Sequence, residues 1–329
     1  MWIMRIVLGW VGAAVLLAAI VAAGVATANA TVYSASAFVR DYLGALAAGR
    51  VDEVLALPGV DADGLDERML EPAALGAFTW RITDDVERNG VHRIGVEFTA
   101  AGTGGQASGR ADGRATLEVR RIGTRALLFP DWGFAASPVT TLSVGADGDG
   151  RFTVGELPLE LSGDGPTAFA ALTPGVYVLA HHSEYLVADD TVVLATGAMR
   201  SVDVHVRPNE AFLASAATAL DDYLAGCTAQ HVLFPTGCPF GHAIENRVAS
   251  EPRWSIVEVP DVVPVAADER GLWELHGAEG TAHLSVEVQS LFDGSISELE
   301  KDVPFSVNAH LGFTGGTLTL VPFRESSRR

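Results

Sequence analysis

The strongest hydrophobic feature of the chain is an uncharged run at its N-terminus. Residues Ile6–Val25 read IVLGWVGAAVLLAAIVAAGV, and no charged residue occurs between Arg5 and Arg40. A helix of about 20 apolar residues spans the hydrocarbon core of a bilayer. Because Arg5 and the amino terminus precede the run, the positive-inside rule places residues 1–5 in the cytoplasm and exports the remainder. The sequence therefore predicts a single-pass anchor in the cell membrane, which makes the lipid bilayer a partner.

A cleaved signal peptide is the alternative to an anchor. Ala28-Asn29-Ala30 fits the A-x-A pattern of a cleavage site, and cleavage after Ala30 would release a secreted protein. The apolar core of a signal peptide spans about 7–15 residues, and the run in this chain is longer, which favours the anchor. Both alternatives export the rest of the chain.

The part that follows begins with helix patterns and continues with strand patterns. Phe38, Tyr42 and Leu46 recur at i, i+4 and i+8, which predicts a helix over 34–50. A second short helix is predicted over 52–57, before Pro58-Gly59. The glycine-rich tract 101–113 predicts a flexible hairpin connection. Strands are predicted at the apolar runs 78–82, 92–99, 115–121 and 125–129.

The middle of the chain has only strand patterns, and a second block of helix and strands follows. Short apolar or alternating runs, separated by Gly, Asp and Pro, predict strands at 142–144, 151–154, 157–161, 176–180, 191–195 and 201–206. Asn209 is then predicted to be the N-cap of a helix. One face of that helix is predicted to carry Leu213, Ala216, Leu220, Leu224 and Cys227. Further strands are predicted at 254–259, 271–276, 281–289, 304–308 and 317–321.

The two blocks of helix and strands resemble each other, which suggests one module used twice. Three short matches occur in the same order: DYLG at 41–44 with DYLA at 222–225, TWRI at 79–82 with RWSI at 253–256, and strands that end on Phe129 and Phe323.

These patterns resemble known families. A helix with F-x-x-x-Y-L at 38–43, a short second helix and an antiparallel sheet resemble the NTF2-like (cystatin-like) cone fold. The middle segment, with TPGVY at 173–177 followed by strands, resembles the small β-sandwich modules of PEGA type. The layout is similar to the teicoplanin-resistance-associated membrane proteins of Gram-positive bacteria. The resemblance implies surface scaffolding or ligand sensing, and it transfers no catalytic residue to this sequence.

The predicted fold class is therefore α+β, with an N-terminal transmembrane helix and two NTF2-like domains on either side of an all-β sandwich. The predicted boundaries are 1–30 for the cytoplasmic stub and transmembrane helix, 31–136 for the first NTF2-like domain, 137–207 for the sandwich, 208–324 for the second NTF2-like domain and 325–329 for a tail.

Charge narrows the range of partners. The chain has 22 basic and 41 acidic residues, for a net charge of −19, and its 48% hydrophobic content is sufficient for well-packed cores. A surface this acidic repels phosphate groups, which excludes nucleic acid and disfavours anionic lipid head groups.

The two cysteines predict a disulfide. Cys227 and Cys238 are separated by a short loop, and cysteines this close are expected to pair in an oxidising exterior. The alternative is a tetrahedral zinc site, because each cysteine is followed four residues later by a histidine, at His231 and His242. Export favours the disulfide, since exposed thiolates oxidise outside the cell.

A second polar motif has the spacing of a calcium loop. The sequence GADGDGRFTVGEL, 145–157, would supply Asp147, Asp149 and Glu156 as carboxylate ligands of an EF-hand loop. However, Gly145 stands where the first aspartate of the loop belongs, and strand patterns flank the segment instead of helices. The favoured interpretation is a hairpin turn, because Asp-Gly pairs provide the positive φ that tight turns need.

The sequence predicts no catalytic function and no cofactor. It has no phosphate-binding glycine loop and no G-x-S-x-G, H-E-x-x-H or Ser-x-x-Lys motif. An enzyme or small-ligand-binding protein that uses a cone cavity is one alternative, with Asp41, Tyr42, Asp222 or Tyr223 as an acid/base pair. On the helical pattern, however, the tyrosines face the core and the aspartates face water. The favoured hypothesis is a non-catalytic envelope protein that binds a cell-wall polymer or an envelope protein, and a calcium-stabilised adhesion stalk is a further alternative.

Overall fold

A computed structural model describes residues 2–62, 64–101, 111–163, 165–314 and 317–323. It is mostly β-sheet, with 48% strand and 21% helix, which confirms the α+β class. The chain forms two compact units. The first unit comprises Met1–Gly145, Phe152–Ala180 and Asp190–Asp203, and the second unit comprises Ala146–Arg151, His181–Asp189 and Val204–Arg329.

Helix α1, Trp2–Thr31, confirms the predicted N-terminal apolar helix. Its segment Ala14–Thr31 has a mean hydropathy of 1.9, and none of that segment is buried in the protein. Leu16, Leu17 and Ile20 are each at least 60% exposed. By length and composition the helix can cross a membrane, and a signal sequence has the same properties.

In the first unit, a helix packs on an antiparallel meander. Helix α2, Ala35–Ala47, is capped by the Ser34 side chain, which accepts a hydrogen bond from the Ala37 amide. The buried residues of α2 share one core with the inner face of the sheet. The short helix α3, Val51–Leu55, follows, with 3-10 turns at 67–69 and 72–74. The sheet has the order β1, Phe78–Arg88; β2, Val91–Ala100; β3, Asp112–Arg125; and β4, Phe129–Phe134.

The prediction of a strand over 125–129 is wrong. Residues 126–128 form the turn between β3, which ends at Arg125, and β4, which begins at Phe129. In this turn Ala126 and Leu127 have φ values of 51° and 62°. The apolar sequence Ala-Leu-Leu-Phe predicted a buried strand, but Leu127 at the turn is 93% exposed. Most of the predicted connection at 101–113 lies at 102–110, outside the described residues, and its last two residues already belong to β3.

The middle of the chain forms two sheets. The three-stranded sheet has the order β11-β5-β8, and the five-stranded sheet has the order β12-β10-β9-β6-β7. Strand β8 was not predicted, because alanine fills half of its TAFAAL sequence and has a low strand propensity. The predicted boundaries of a separate sandwich domain remain a prediction. The strands are β5, Val139–Asp147; β6, Arg151–Val154; β7, Leu157–Glu160; β8, Thr167–Leu172; β9, Gly175–His182; β10, Leu186–Ala195; β11, Arg200–His205; and β12, Arg207–Pro208.

The second unit also combines one helix with a meander. Helix α4, Glu210–Thr228, begins at the predicted N-cap, where the Asn209 side chain accepts a hydrogen bond from the Phe212 amide. The two strands predicted between 271 and 289 are one long strand with a bulge between Leu275 and Ala278. The strands are β13, Arg247–Val248; β14, Arg253–Glu258; β15, Val265–Ala266; β16, Trp273–Gln289; β17, Ile296–Thr314; and β18, Thr317–Pro322.

The predicted apolar face of α4 is wrong at one position. Phe212 is completely buried, whereas Leu213 is 37% exposed. The buried stripe continues from Phe212 through Ala216 and Leu220 at a spacing of four residues. Both residues satisfy helical spacing to the next turn, so the apolar pattern alone could not decide between them.

The two meanders share a strand order and one irregularity. Strand β14 pairs with β16, and β16, β17 and β18 follow in order, as β1 to β4 do in the first unit. A bulge follows Ile82 in β1 and Ile256 in β14, in each case two residues after a tryptophan. The third sequence match does not correspond, because Phe129 begins β4 whereas Phe323 follows the end of β18.

Candidate functional site

The interior of the first unit is filled with side chains. Tyr42, Leu43, Leu46 and Phe98 are each at most 1% exposed. The Tyr42 hydroxyl donates a 2.6 Å hydrogen bond to the Thr173 carbonyl. Burial, together with the neighbouring Tyr177, raises the pKa of Tyr42 well above its ordinary value. Tyr42 is therefore a structural residue of the core, as the helical pattern predicted.

A groove of about 420 Å³ lies at the surface of the first unit, between α2 and β4. We call it the α2 groove. Its lining combines aromatic rings with carboxylates, and its principal residues are Tyr33, Phe38, Asp41, Glu53, Asp131 and Trp132. Such a surface can stack on the apolar faces of a ligand and accept hydrogen bonds at the edges.

The aromatic wall of the groove is held by specific contacts. The Trp132 indole donates a 2.8 Å hydrogen bond to the Tyr33 carbonyl, which ties β4 to the residue before the N-cap of α2. The rings of Tyr33 and Phe129 stack with their centroids 4.3 Å apart. Phe38 meets Phe134 edge to face at 5.2 Å. The rings are therefore pre-positioned, which reduces the entropy lost when a ligand binds.

The charged rim of the groove is partly neutralised. Glu53 pairs with Arg50 at 2.9 Å, and Asp131 pairs with Arg125 at 3.0 Å. Asp41 is exposed, as predicted, and lines the groove beside these pairs. The rim thus carries three carboxylates and one lining arginine, which favours neutral or cationic ligands over anionic ones.

Next to the groove lies a Ser-Asp-His cluster that the sequence motifs did not reveal. Ser36 donates a 2.6 Å hydrogen bond to Asp85 Oδ2, and His92 Nδ1 lies 2.7 Å from Asp85 Oδ1. In a nucleophilic triad the serine bonds to the histidine, and the carboxylate binds the other ring nitrogen. Here the serine and the histidine bind opposite oxygens of one carboxylate, and this arrangement fixes α2 to β1 and β2. The residues come from three elements, so their spacing along the chain gives no signal.

The second unit has a groove at the corresponding place, between its helix and its last strand. This groove measures about 510 Å³ and includes Tyr223, Cys238, Asn308 and Phe323 in its lining. The hydroxyl of Tyr223 donates a 2.8 Å hydrogen bond to the Gly237 carbonyl. Tyr223 is half-buried against the core and Asp222 is exposed, as the helical pattern predicted.

The cysteines form the predicted disulfide. Cys227 and Cys238 are bonded, with their Cα atoms 5.7 Å apart, and the bond fastens the following loop to the end of α4. The zinc alternative requires two thiolates, and a disulfide provides none. His231 lies 3.3 Å from Glu251. Among the described residues, no group of three or more His, Cys, Asp or Glu side chains is arranged to hold a metal ion, and His242 belongs to no such group.

Two of the three candidate calcium ligands, Asp147 and Asp149, make ion pairs with other side chains. Asp149 is buried and makes a bidentate ion pair with Arg151, with a shortest distance of 2.5 Å. Burial by itself would raise the pKa of Asp149, but its hydrogen bonds to Arg151 prevail and lower it. Asp147 lies 3.0 Å from His205, and Glu156 is exposed.

The favoured hairpin interpretation of the same segment is wrong in one respect. Strands β5 and β6 do not pair with each other but belong to different sheets, so the Asp-Gly turn connects two sheets. Gly148 does have the expected positive φ of 80°, and a Cβ atom there would lie 2.8 Å from the Val206 carbonyl oxygen. Glycine is therefore required at this position.

Histidine–carboxylate pairs on the second unit also escaped the sequence analysis. Glu274 lies 2.7 Å from His276 and 3.0 Å from His310, whose ring stacks on Phe323 at 4.4 Å. His283 is hydrogen-bonded to Asp302 and Glu300, and these bonds raise the pKa of His283. Glu274 and His276 lie two residues apart on β16, whereas the other pairs join β16 to the neighbouring strand β17.

Comparison with protein-family models, with curated proteins and with solved structures gives no match to the chain.

Proposed function

We propose that this chain is a non-catalytic, single-pass membrane protein of the cell envelope, with its folded units outside the cytoplasm and a binding site in the α2 groove. The observation that carries the proposal is the exposure of the apolar helix α1. Its apolar segment is entirely unburied, and it leads within a few residues into the wall of the groove at Tyr33. In water, so much exposed apolar surface would be unfavourable, whereas a bilayer accommodates it.

Two observations support the orientation. Arg5 lies in the first turns of α1 and precedes its apolar run Ile6–Val25, and basic residues next to such a run favour the cytoplasmic side. The Cys227–Cys238 disulfide lies in the part of the chain that follows the apolar helix, and stable disulfides are typical of proteins in oxidising compartments.

The fold of the two units supports the NTF2-like assignment, which we propose for both. Each has a helix against an antiparallel meander, with a bulge two residues after a tryptophan in the first strand. Small-ligand sites in known proteins are concave and largely pre-formed. In the first unit the interior is filled, so the α2 groove is the place where a ligand would bind.

The chemistry of the groove favours a neutral, hydroxyl-rich polymer as the ligand. Tyr33, Phe38 and Trp132 offer ring surfaces for the apolar faces of sugars, and Asp41 offers oxygen acceptors for their hydroxyl groups. The net charge of −19 disfavours anionic polymers. We therefore propose binding to the glycan part of the cell wall. An enzyme or small-ligand role for the same groove is the second candidate.

The variant Trp132→Ala tests this assignment. We expect it to weaken binding of soluble, enzymatically released peptidoglycan fragments about tenfold or more, because a buried aromatic anchor commonly contributes that much to binding. Binding is measured by isothermal titration calorimetry on the full chain in nanodiscs. Trp80→Ala is the matched control, because Trp80 is also half-buried in the sheet but lines a separate cleft. Equal losses in both variants, or no binding by the unmodified protein, would exclude the groove as the glycan site.

A further inference from the structure

The hairpin of β3 and β4 extends beyond the sheet to which it belongs. The last residue of β3 that pairs with β2 is Arg120, opposite Val91. Beyond it, β3 pairs with β4 alone, at Arg121 and at residues 123–125, with a bulge at Ile122. Five residues of strand extend about 17 Å. We call residues 121–132 the β3–β4 ribbon.

The tip of the ribbon is apolar and exposed. Leu127 is 93% exposed and Leu128 is 55% exposed, while Ile122 behind them is 46% exposed. Leu127 also has a φ of 62°, a conformation that side chains other than glycine and asparagine rarely adopt. An Asn-Gly sequence at the tip would be better hydrated and would adopt the positive φ of the turn more easily. Large apolar side chains at such a position indicate that they are buried in something other than this chain.

The ribbon tip lies directly beside the membrane helix. The Asn29 side chain of α1 donates a 3.2 Å hydrogen bond to the Leu128 carbonyl. Leu128 also completes a shallow apolar groove whose other walls come from α1, including Leu17, Val21 and Val25. Leu128 therefore shares one continuous apolar surface with the segment that is expected to contact lipid.

The residues behind the tip are typical of a membrane interface. The ribbon contains Arg121 and Arg125, follows Arg120 directly, and has one acidic residue, Asp131, which pairs with Arg125 at 3.0 Å. It therefore has a positive net charge, in contrast to the net charge of −19 for the chain. The aromatic side chains of Tyr33 and Trp132 lie at the base of the ribbon, next to the end of α1. Arginine, tyrosine and tryptophan are the residues that favour the head-group region.

We infer that the β3–β4 ribbon is a second membrane contact, in which Leu127 and Leu128 enter the outer leaflet beside α1. The lipid bilayer is the occupant because the apolar tip is continuous with the helix that the same bilayer surrounds. This inference rests on the proposed function, since it requires that α1 remains attached and spans the membrane. The α2 groove shares Trp132 and Asp131 with the ribbon. The contact would therefore hold the groove in a fixed orientation relative to the membrane surface.

Depth-dependent fluorescence quenching tests the inference. Both native cysteines are in the disulfide, so Leu127→Cys provides the only free thiol for an environment-sensitive NBD label. The full chain is reconstituted into phosphatidylcholine nanodiscs that contain a nitroxide near the head group. We expect a blue-shifted emission and quenching of about twofold at position 127, as for side chains at the head-group boundary. Met199→Cys is the matched control, because Met199 is 73% exposed, is followed by an arginine, and lies in the first unit outside the apolar groove between α1 and Leu128.

The outcomes distinguish a failure of the ribbon contact from a failure of the proposed membrane anchor. Quenching at 127 without quenching at 199 supports the membrane contact. An unquenched label at 127 in protein that co-elutes with nanodiscs overturns the contact while leaving the anchor intact, and a second copy or another protein would then have to cover the tip. Equal quenching at both positions overturns the specific role of the ribbon. Protein that fails to co-elute with nanodiscs overturns the anchor, and the ribbon inference with it.

Discussion

Replacing Phe212 with alanine is expected to lower the free energy of unfolding of the second unit by about 3–5 kcal/mol, the usual cost of removing a buried phenylalanine. Phe212 is completely buried, and its ring lies 5.9 Å from that of Trp273 and 5.8 Å from that of Phe313. The substitution leaves a cavity between these two rings. Urea unfolding of the full chain in detergent, followed by tryptophan fluorescence, measures the loss.

The neighbouring Leu213 provides the control for this experiment. Leu213 is 37% exposed, so Leu213→Ala removes little buried surface and is expected to cost less than about 1 kcal/mol. Sequence periodicity assigned Leu213 to the core, and the structure assigns Phe212 instead. A larger loss for Leu213→Ala than for Phe212→Ala would show that the sequence pattern was right and that the register of α4 is wrong.

Loss of the disulfide is expected to have the second largest effect. Cys227 and Cys238 are 11 residues apart, and closing a loop of that size stabilises a fold by about 3 kcal/mol in the chain-entropy model. The double variant Cys227→Ala/Cys238→Ala should lose about this much stability in the same urea experiment. The loop that the bond secures also carries Gly237, the hydrogen-bond acceptor of Tyr223, so the groove of the second unit should loosen.

Reduction of the unmodified protein separates the effect of losing the disulfide bond from the effect of replacing the two cysteine side chains. A reductant should lower the stability of the unmodified protein to nearly that of the double variant, and it should leave the double variant unchanged. If the reductant has no effect on the unmodified protein, or if zinc restores the stability of the reduced form, the cysteines do not serve as a structural disulfide.

The sequence predicted the elements whose signals are local. The apolar run gave α1, the spacing of Phe38, Tyr42 and Leu46 gave α2, and Asn209 gave the start of α4. Side chains near both grooves were also identified correctly as core-facing or exposed. In each case, one element carries the whole pattern, and burial then follows from periodicity.

The features that the sequence could not predict depend on distant residues. The α2 groove combines the segment between α1 and α2, helix α2 itself and the distant strand β4. The bond from Trp132 to Tyr33, 99 residues apart in sequence, illustrates this distance. The sequence pattern around Leu127 predicted a strand instead of a turn, because an apolar run has the same pattern whether its side chains are buried in a core or contact another partner. The Ser36–Asp85–His92 cluster likewise exists only once three elements have packed together.

The central claim is that α1 stays attached and places the folded units outside the cytoplasm. Its most direct test is the accessibility to protease of an epitope tag placed after Arg329, measured in intact spheroplasts and in their washed membranes. We predict that the tag sediments with the membranes and is digested in intact spheroplasts. A tag that resists protease until the cells are lysed, or that appears in the medium, would contradict the account.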